Sequence, residues 1–142
     1  MESQVKITRE GFLSLLEKLS SRAAVYVPYR KGEQLSLELF RRGEIESMEF
    51  GRIRQTEPVK SFLTHPRKVL TGPDNGEKVI VVGLKACDLA SLKVQDAVFA
   101  GGDVKDPYYS SNRENLTIFS FDCTLAKETC FCTAMELSLI HI

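Results

Sequence analysis

The sequence predicts an α/β domain in which an N-terminal helix and a β-hairpin lead into a Rossmann-like βαβ unit. Three observations predict this class: apolar residues at helical spacing near the N-terminus, two β-prone runs around a turn, and a continuous apolar run followed by a helical segment and another strand. With 142 residues, 43% of them hydrophobic, the chain can bury one core of ordinary size. We therefore assign residues 1–136 to a single domain.

The first elements are a helix and a hairpin. Residues 9–19 carry apolar side chains on one helical face, and Thr8 is suited to cap the first turn. Residues 23–29 are apolar and β-prone, and residues 35–40 alternate leucines with polar side chains. Lys31-Gly32 between them indicates a turn, so the two runs are expected to pair as a hairpin.

The middle of the chain gives weaker signals. Residues 50–55 are compatible with a further short strand, and residues 58–63 with a helical segment that begins at a proline and is stopped by His65-Pro66. Residues 72–76 then form a strong turn signal. We expect the second half of the fold to begin after this turn.

The second half predicts a βαβ unit. Residues 79–84 form the continuous apolar run of a buried strand, Asp88 is suited to cap the following helix, and residues 116–121 form the next strand. The expected apolar face of the helix comprises Leu89, Leu92, Val94, Ala97 and Val98. Residues 106–109 are assigned to a packed loop. Strands of a βαβ unit run parallel, so both should end at one edge of the sheet.

The four cysteines are the main functional signal. Cys87 and Cys123 each follow a predicted strand, where α/β sheets bind ligands, and Cys130 and Cys132 can reach the same edge by a short loop. Four thiolates match the ligand count of an iron–sulfur cluster or a closed zinc site. Zinc is less favoured because its sites usually contain C-x2–4-C pairs, and a redox dithiol because its usual motif is C-x-x-C. Inert buried cysteines are the remaining alternative.

Charge and hydropathy exclude several partners. Nineteen basic and nineteen acidic residues balance, so the sequence gives no electrostatic case for nucleic acid or an anionic membrane. No apolar run approaches the roughly 20 residues that span a bilayer, and the N-terminus lacks the apolar core of a signal peptide. We expect a cytoplasmic protein whose thiols are kept reduced.

Three blocks of the sequence resemble the N-terminal region of 4Fe–4S dicluster ferredoxin-type subunits, a group that includes the beta subunit of sulfhydrogenases (NiFe-hydrogenases) and the corresponding iron–sulfur subunit of anaerobic sulfite reductase. Residues 83–90, GLKACDLA, are similar to the G-V-[RK]-x-C-D-L-A block of that family. Residues 106–109, DPYY, and 129–132, TCFC, resemble two further blocks in the same order. The resemblance covers residues 58–132.

The resemblance implies an electron-transfer subunit that is not catalytic on its own. It would relay electrons between a partner that binds flavin and NAD(P)H and a catalytic partner, with one 4Fe–4S cluster on Cys87, Cys123, Cys130 and Cys132. Phe131, between two of these ligands, would shield the cluster from solvent. Two further clusters would lie in a C-terminal region of a longer parent. The alternative is a docking domain, without cofactor or stabilised by zinc, that positions ferredoxin-type clusters.

The last six residues have a different origin in our interpretation. Residues 137–142, LSLIHI, can be encoded by the mosaic-end adaptor of transposon-based sequencing libraries. We expect them to be a non-native tail on an N-terminal fragment. An ordinary apolar C-terminal strand is the alternative.

Overall fold

The fold is mixed α/β, as the sequence predicts. A computed structural model describes residues 5–52, 55–64, 77–125 and 127–137. Within them, the sheet has four strands in the order β2-β1-β3-β4. The elements are α1 (Arg9–Ser20), β1 (Ala24–Lys31), β2 (Gln34–Leu39), β3 (Val79–Leu84), α2 (Ala86–Phe99), α3 (Pro107–Glu114) and β4 (Leu116–Ser120), with short 3-10 helices at Arg42–Ser47 and Val59–Phe62.

Parallel pairing organises the centre of the sheet. β3 runs parallel to β1 on one side and to β4 on the other, whereas β2 pairs antiparallel with β1 at the edge. The predicted parallel alignment of β3 and β4 is therefore confirmed. As expected for a strand covered on both faces, β3 is apolar and almost entirely buried.

The N-terminal predictions are confirmed in detail. The Thr8 hydroxyl accepts a hydrogen bond from the Gly11 amide at 3.1 Å and caps α1. β1 and β2 form the expected hairpin, in which Lys31 pairs with Gln34. Gly32 has a φ of 63° in the two-residue connection, a conformation that glycine adopts without steric cost.

Helices cover both faces of the sheet. On one face, Leu16 of α1 packs with buried residues of β1 and β3. On the other, Leu92 of α2 and Tyr109 of α3 pack with the Val59–Phe62 segment and the opposite side of β3. These two apolar clusters hold the sheet between α1 and the α2–α3 pair.

A bulge at Gly83 reverses the facing of the end of β3. Ile80 and Val82 belong to the α1 cluster, and Val81 to the opposite cluster, as simple alternation requires. The register with β4 shifts between Val82 and Leu84, and Leu84 joins the side of Val81. Gly83 has a φ of 98°, and a Cβ there would lie 2.8 Å from Pro28 Cγ. Only glycine fits this bulge without strain.

The middle segment differs in part from its prediction. Among the described residues of the range 50–55 there is no strand; Gln55 forms only an isolated bridge with Leu35, and its Nε2 donates to the Gly83 carbonyl at 2.6 Å. The helical segment over 58–63 is present as the 3-10 helix Val59–Phe62. His65-Pro66, the turn at 72–76 and residues 138–142 of the tail lie outside the described residues.

The prediction that Asp88 is the N-cap of the second helix is wrong by three positions. α2 begins at Ala86 after the cap residue Lys85, and the Asp88 carboxylate accepts the Lys85 amide at 2.9 Å. This is the reciprocal half of a capping box, which uses the same residue type three positions later. The expected apolar face is also too wide, because Val94 and Val98 are 66% and 62% exposed. They lie on the side of α2 opposite Leu92.

The packed loop predicted at 106–109 is instead the start of a helix. The Asp106 carboxylate accepts the Tyr108 and Tyr109 amides at 2.9 and 3.1 Å, and Pro107 is the first helical residue. An acidic cap followed by proline is a strong start signal for a helix. The crossover from β3 to β4 therefore contains two helices.

Asp96 joins these two helices. The hydroxyl of Tyr109, a fully buried residue, donates to Asp96 Oδ1 at 2.6 Å, and Arg113 Nε lies 3.0 Å from the same atom. Burial raises the pKa of the Asp96 carboxyl, but the hydrogen bonds from Tyr109 and Arg113 outweigh it and hold that pKa below its usual value. Burial, and then the hydrogen bond to Asp96, raise the pKa of Tyr109 to about 12.

Replacement of Gly83 tests the bulge. Gly83→Ala should lower the free energy of unfolding by about 2 kcal/mol or more, because it combines a strained φ with a Cβ pressed against Pro28. Gly32→Ala is the matched control, since it has a positive φ but no atom within 4 Å of its Cβ, and should cost about half as much. Urea denaturation measures both. Equal losses would show that the contact with Pro28 contributes nothing.

The Asp96 network predicts how stability depends on pH. The lowered folded pKa of Asp96 gives stability that is present above the unfolded pKa near 3.9 and is lost as the pH falls through the folded value. The raised pKa of Tyr109 gives stability that is present below its usual value of 10.0 and is lost as the pH rises toward about 12. Urea denaturation across the pH range should show both losses.

Two substitutions separate these contributions. Asp96→Asn should reduce the loss of stability in acid, and Tyr109→Phe should reduce the loss in alkali. Tyr26→Phe is the control for the second change, because Tyr26 packs on Phe62 away from this network. Pairing of Tyr109 with Asp96 is contradicted if Tyr109→Phe and Tyr26→Phe change the alkaline limb equally.

Candidate functional site

Cys87 and Cys123 follow the carboxyl ends of neighbouring parallel strands. Cys87 is the second residue of α2, which begins directly after β3 and Lys85, and Cys123 lies three positions beyond Ser120, the last residue of β4. The Phe121 amide still donates to the Leu84 carbonyl at 2.9 Å, so the two chains stay paired just past the strands. The sheet therefore delivers both segments to the same edge.

Lys85 is the buried charged residue at this edge. Its side chain belongs to a residue that is only 1% exposed, and its ammonium donates a hydrogen bond to the Phe50 carbonyl. The Asp122 carbonyl lies 3.5 Å from the same nitrogen. Lysine is rarely fully buried unless it is paired, so a lysine in this position needs compensation. Lys85 thus joins the segment after β4 to a segment from the first half of the chain.

That earlier segment supports the edge by two further contacts. The Gly51 carbonyl accepts both the Thr124 amide, at 3.0 Å, and the Thr124 hydroxyl, at 2.9 Å. The rings of Phe50 and Phe121 stack with centroids 4.7 Å apart, and Phe12 of α1 packs edge-on against both. The backbone on either side of Cys123 is therefore held by hydrogen bonds and by aromatic packing.

Cys130 and Cys132 lie in a short turn beyond Thr124. The Lys127 amide donates to Cys130 Sγ at 3.3 Å, and the Cys130 amide donates back to the Lys127 carbonyl at 2.9 Å. The Cys132 carbonyl accepts the Leu137 amide at 2.9 Å. An N–H group directed at sulfur stabilises negative charge on that sulfur, which is one way in which proteins adjust an iron–sulfur centre.

The charges at this edge influence one another. Burial raises the pKa of the Cys123 thiol, the Lys85 ammonium opposes this, and negative charge on Cys132 and Cys130 adds to it. Burial lowers the pKa of the Lys85 ammonium, while Cys123, Asp88, Asp122 and Cys87, in that order, favour its charged form. Lys85 is therefore electrostatically coupled to both strand-end cysteines, and Cys123 to both cysteines of the turn.

The thiols share a neighbourhood but do not form a closed ligand set. All four cysteines are half-buried and none forms a disulfide. Among the residues that the structure describes, no three or more histidine, cysteine, aspartate or glutamate side chains are grouped closely enough to hold a metal ion. The donors suit a soft metal centre in chemistry and number. Binding one would require the turn to move toward the strand ends.

The rim of this edge is apolar. Phe131, expected to shield the thiols, is 54% exposed, so it does not cover them in this conformation. Leu125 and Met135 in the same region are 74% and 56% exposed. A single short loop cannot fold these side chains inward without a further surface to pack against.

Several residues of this site carry no sequence signal that we used. Lys85 stands among common surface lysines, and its only clue is its place between a buried strand and a helix start. Phe50 and Thr124 contribute through contacts with residues distant in sequence, which local patterns do not show. The bulge at Gly83 could have been foreseen, because an isolated glycine within an apolar strand often marks one.

Within the described part of the chain, no helix has the length and apolarity needed to cross a membrane. Comparison of the chain with protein-family models, curated proteins and solved structures finds no match.

Proposed function

We propose that this chain is an electron-transfer module whose four cysteines bind one 4Fe–4S cluster at the carboxyl edge of a Rossmann-like sheet. The observation that carries the proposal is the charge coupling at that edge: Lys85 is coupled to Cys87 and Cys123, and Cys123 to Cys130 and Cys132. Four thiolates with a nearby buried cation match the ligation and charge of such a cluster. The cluster would supply one-electron transfer without binding an organic substrate.

Two local features support thiolate ligation. The Lys127 amide already donates to Cys130 Sγ, as ligands of iron–sulfur clusters commonly require. The segment around Cys123 is anchored at Phe121 and Thr124, whereas Cys130 and Cys132 follow in a turn with mainly local contacts. A fixed pair of ligands with a movable pair is compatible with a loop that closes when metal binds.

The proposed partners follow from the sequence resemblance. A flavin- and NAD(P)H-binding subunit would supply electrons and a catalytic subunit of the sulfhydrogenase or anaerobic sulfite reductase type would receive them, in the cytoplasm. The exposed Leu125, Phe131 and Met135 give the cysteine edge an apolar rim that such a partner can cover. Two further clusters would belong to the rest of a longer parent protein.

Reconstitution tests the cluster directly. Anaerobic incubation with ferrous iron and sulfide should give a brown protein that holds about four iron and four sulfide per chain and becomes paramagnetic on reduction. Cys132→Ser should lower the iron content and weaken the absorption, because serine replaces one thiolate. Thr129→Ser is the control in the same turn and should behave as the unmodified protein.

Two outcomes would contradict the proposal. Tight binding of one zinc ion with no uptake of iron would identify a zinc-stabilised docking domain instead. Failure to bind either metal, with all four thiols remaining titratable by a thiol reagent, would identify a docking domain without cofactor. Metal analysis and thiol counting distinguish these outcomes in one preparation.

A further inference from the structure

Lys85 is a buried cation for which the fold alone gives incomplete compensation. It is 1% exposed, and its ammonium has three N–H donors but only two described acceptors, the carbonyls of Phe50 and Asp122. Among the described residues, no carboxylate lies within ion-pair distance of Lys85 Nζ; the ion pairs that are present involve other cations. A buried charge left with neutral partners alone is costly.

The missing compensation is available from the cysteines. Asp88 is committed to the Lys85 amide through its carboxylate, so it serves the helix cap. The other negative groups that favour the Lys85 charge are Cys123, Asp122 and Cys87. Two of these three are thiols that become anionic when they bind a metal. A thiolate-ligated group at this edge would therefore complete the partners of Lys85.

The same side chain also has a mechanical position. Phe50 belongs to the segment after β2, and Asp122 immediately precedes Cys123. By donating toward both carbonyls from the end of β3, Lys85 links three segments of the chain at one nitrogen atom. The Thr124 hydrogen bonds to Gly51 lie on the other side of Cys123 and join the same two segments. Cys123 is thus held between two anchors.

We propose that Lys85 is the positioning residue of the cysteine edge: its ammonium ties the Cys123 segment to Phe50 and sets a fixed positive charge beside Cys87 and Cys123 that stabilises an anionic, thiolate-ligated group. The inference rests on the proposed function for the identity of that group. Its tethering role belongs to the protein without metal, so the two can fail separately.

Hydrogen exchange on the metal-free full chain tests the tether. Lys85→Met should speed amide exchange in residues 121–124 at least tenfold relative to the unmodified chain, because their anchor at Lys85 is lost. Lys93→Met is the matched control, since Lys93 is exposed on α2, and it should leave these residues unchanged. Unchanged exchange in Lys85→Met overturns the tether. An apolar side chain of similar length is usually tolerated at a buried site.

The potential of the reconstituted cluster tests the charge. Removing a nearby positive charge disfavours the reduced form, which carries one more negative charge. At a fixed ambient potential, Lys85→Met should therefore lower the ratio of reduced to oxidised cluster about tenfold, which is 59 mV for a one-electron couple. Lys85→Arg, which keeps the charge, should restore most of the ratio, and Lys93→Met should not alter it.

The outcomes separate the two proposals. A cluster potential that is equal in Lys85→Met and the unmodified chain overturns the charge role. If the unmodified chain binds zinc alone, the proposed electron-transfer function fails, and a tenfold weaker zinc affinity in Lys85→Met would still support the role of Lys85. If it binds no metal, the charge role fails with it and exchange decides the tether. Lys85→Gln replaces Lys85→Met in each measurement should the latter not fold.

Discussion

The parallel alignment of β3 with both of its neighbours is the constraint on which the rest of this structure depends. Because β3 lies between β1 and β4, both of its faces must be covered, and α1 on one side and α2 with α3 on the other provide that cover. Parallel strands also end together, so the segments after β3 and β4 emerge at one edge. The position of the candidate site is thus a consequence of the core.

A tension between burial and charge characterises that edge. The Gly83 bulge directs Leu84 into the α2–α3 cluster, and the next residue, Lys85, is buried although it is charged. Carbonyl groups of Phe50 and Asp122 moderate the cost without cancelling it. Proteins place such costly groups most often where a site requires them, which is why a buried lysine beside cysteines is informative here.

Local signals predict much of the fold, whereas long-range contacts define the site. The Thr8 cap, the Gly32 turn and the apolar run of β3 each act within a few residues, so sequence alone reveals them. Asp88 was misplaced because an acidic residue suits both the cap and the third helical position. The site could be predicted only as far as its cysteines. The partners of Lys85 come from residues 35 and 37 positions away, and local patterns cannot show them.

The separation of these contacts along the chain has a consequence for how the protein folds. Lys85 reaches Phe50 across 35 positions, and Thr124 reaches Gly51 across 73. Closing such distances costs chain entropy before any contact repays it, so the hairpin, the helices and the parallel pairing of β3 must come first. The cysteine edge is then the last part to become ordered and the first to open in a native-state fluctuation. Insertion of a cofactor would have its opportunity in that interval, after the sheet is complete and before the edge closes.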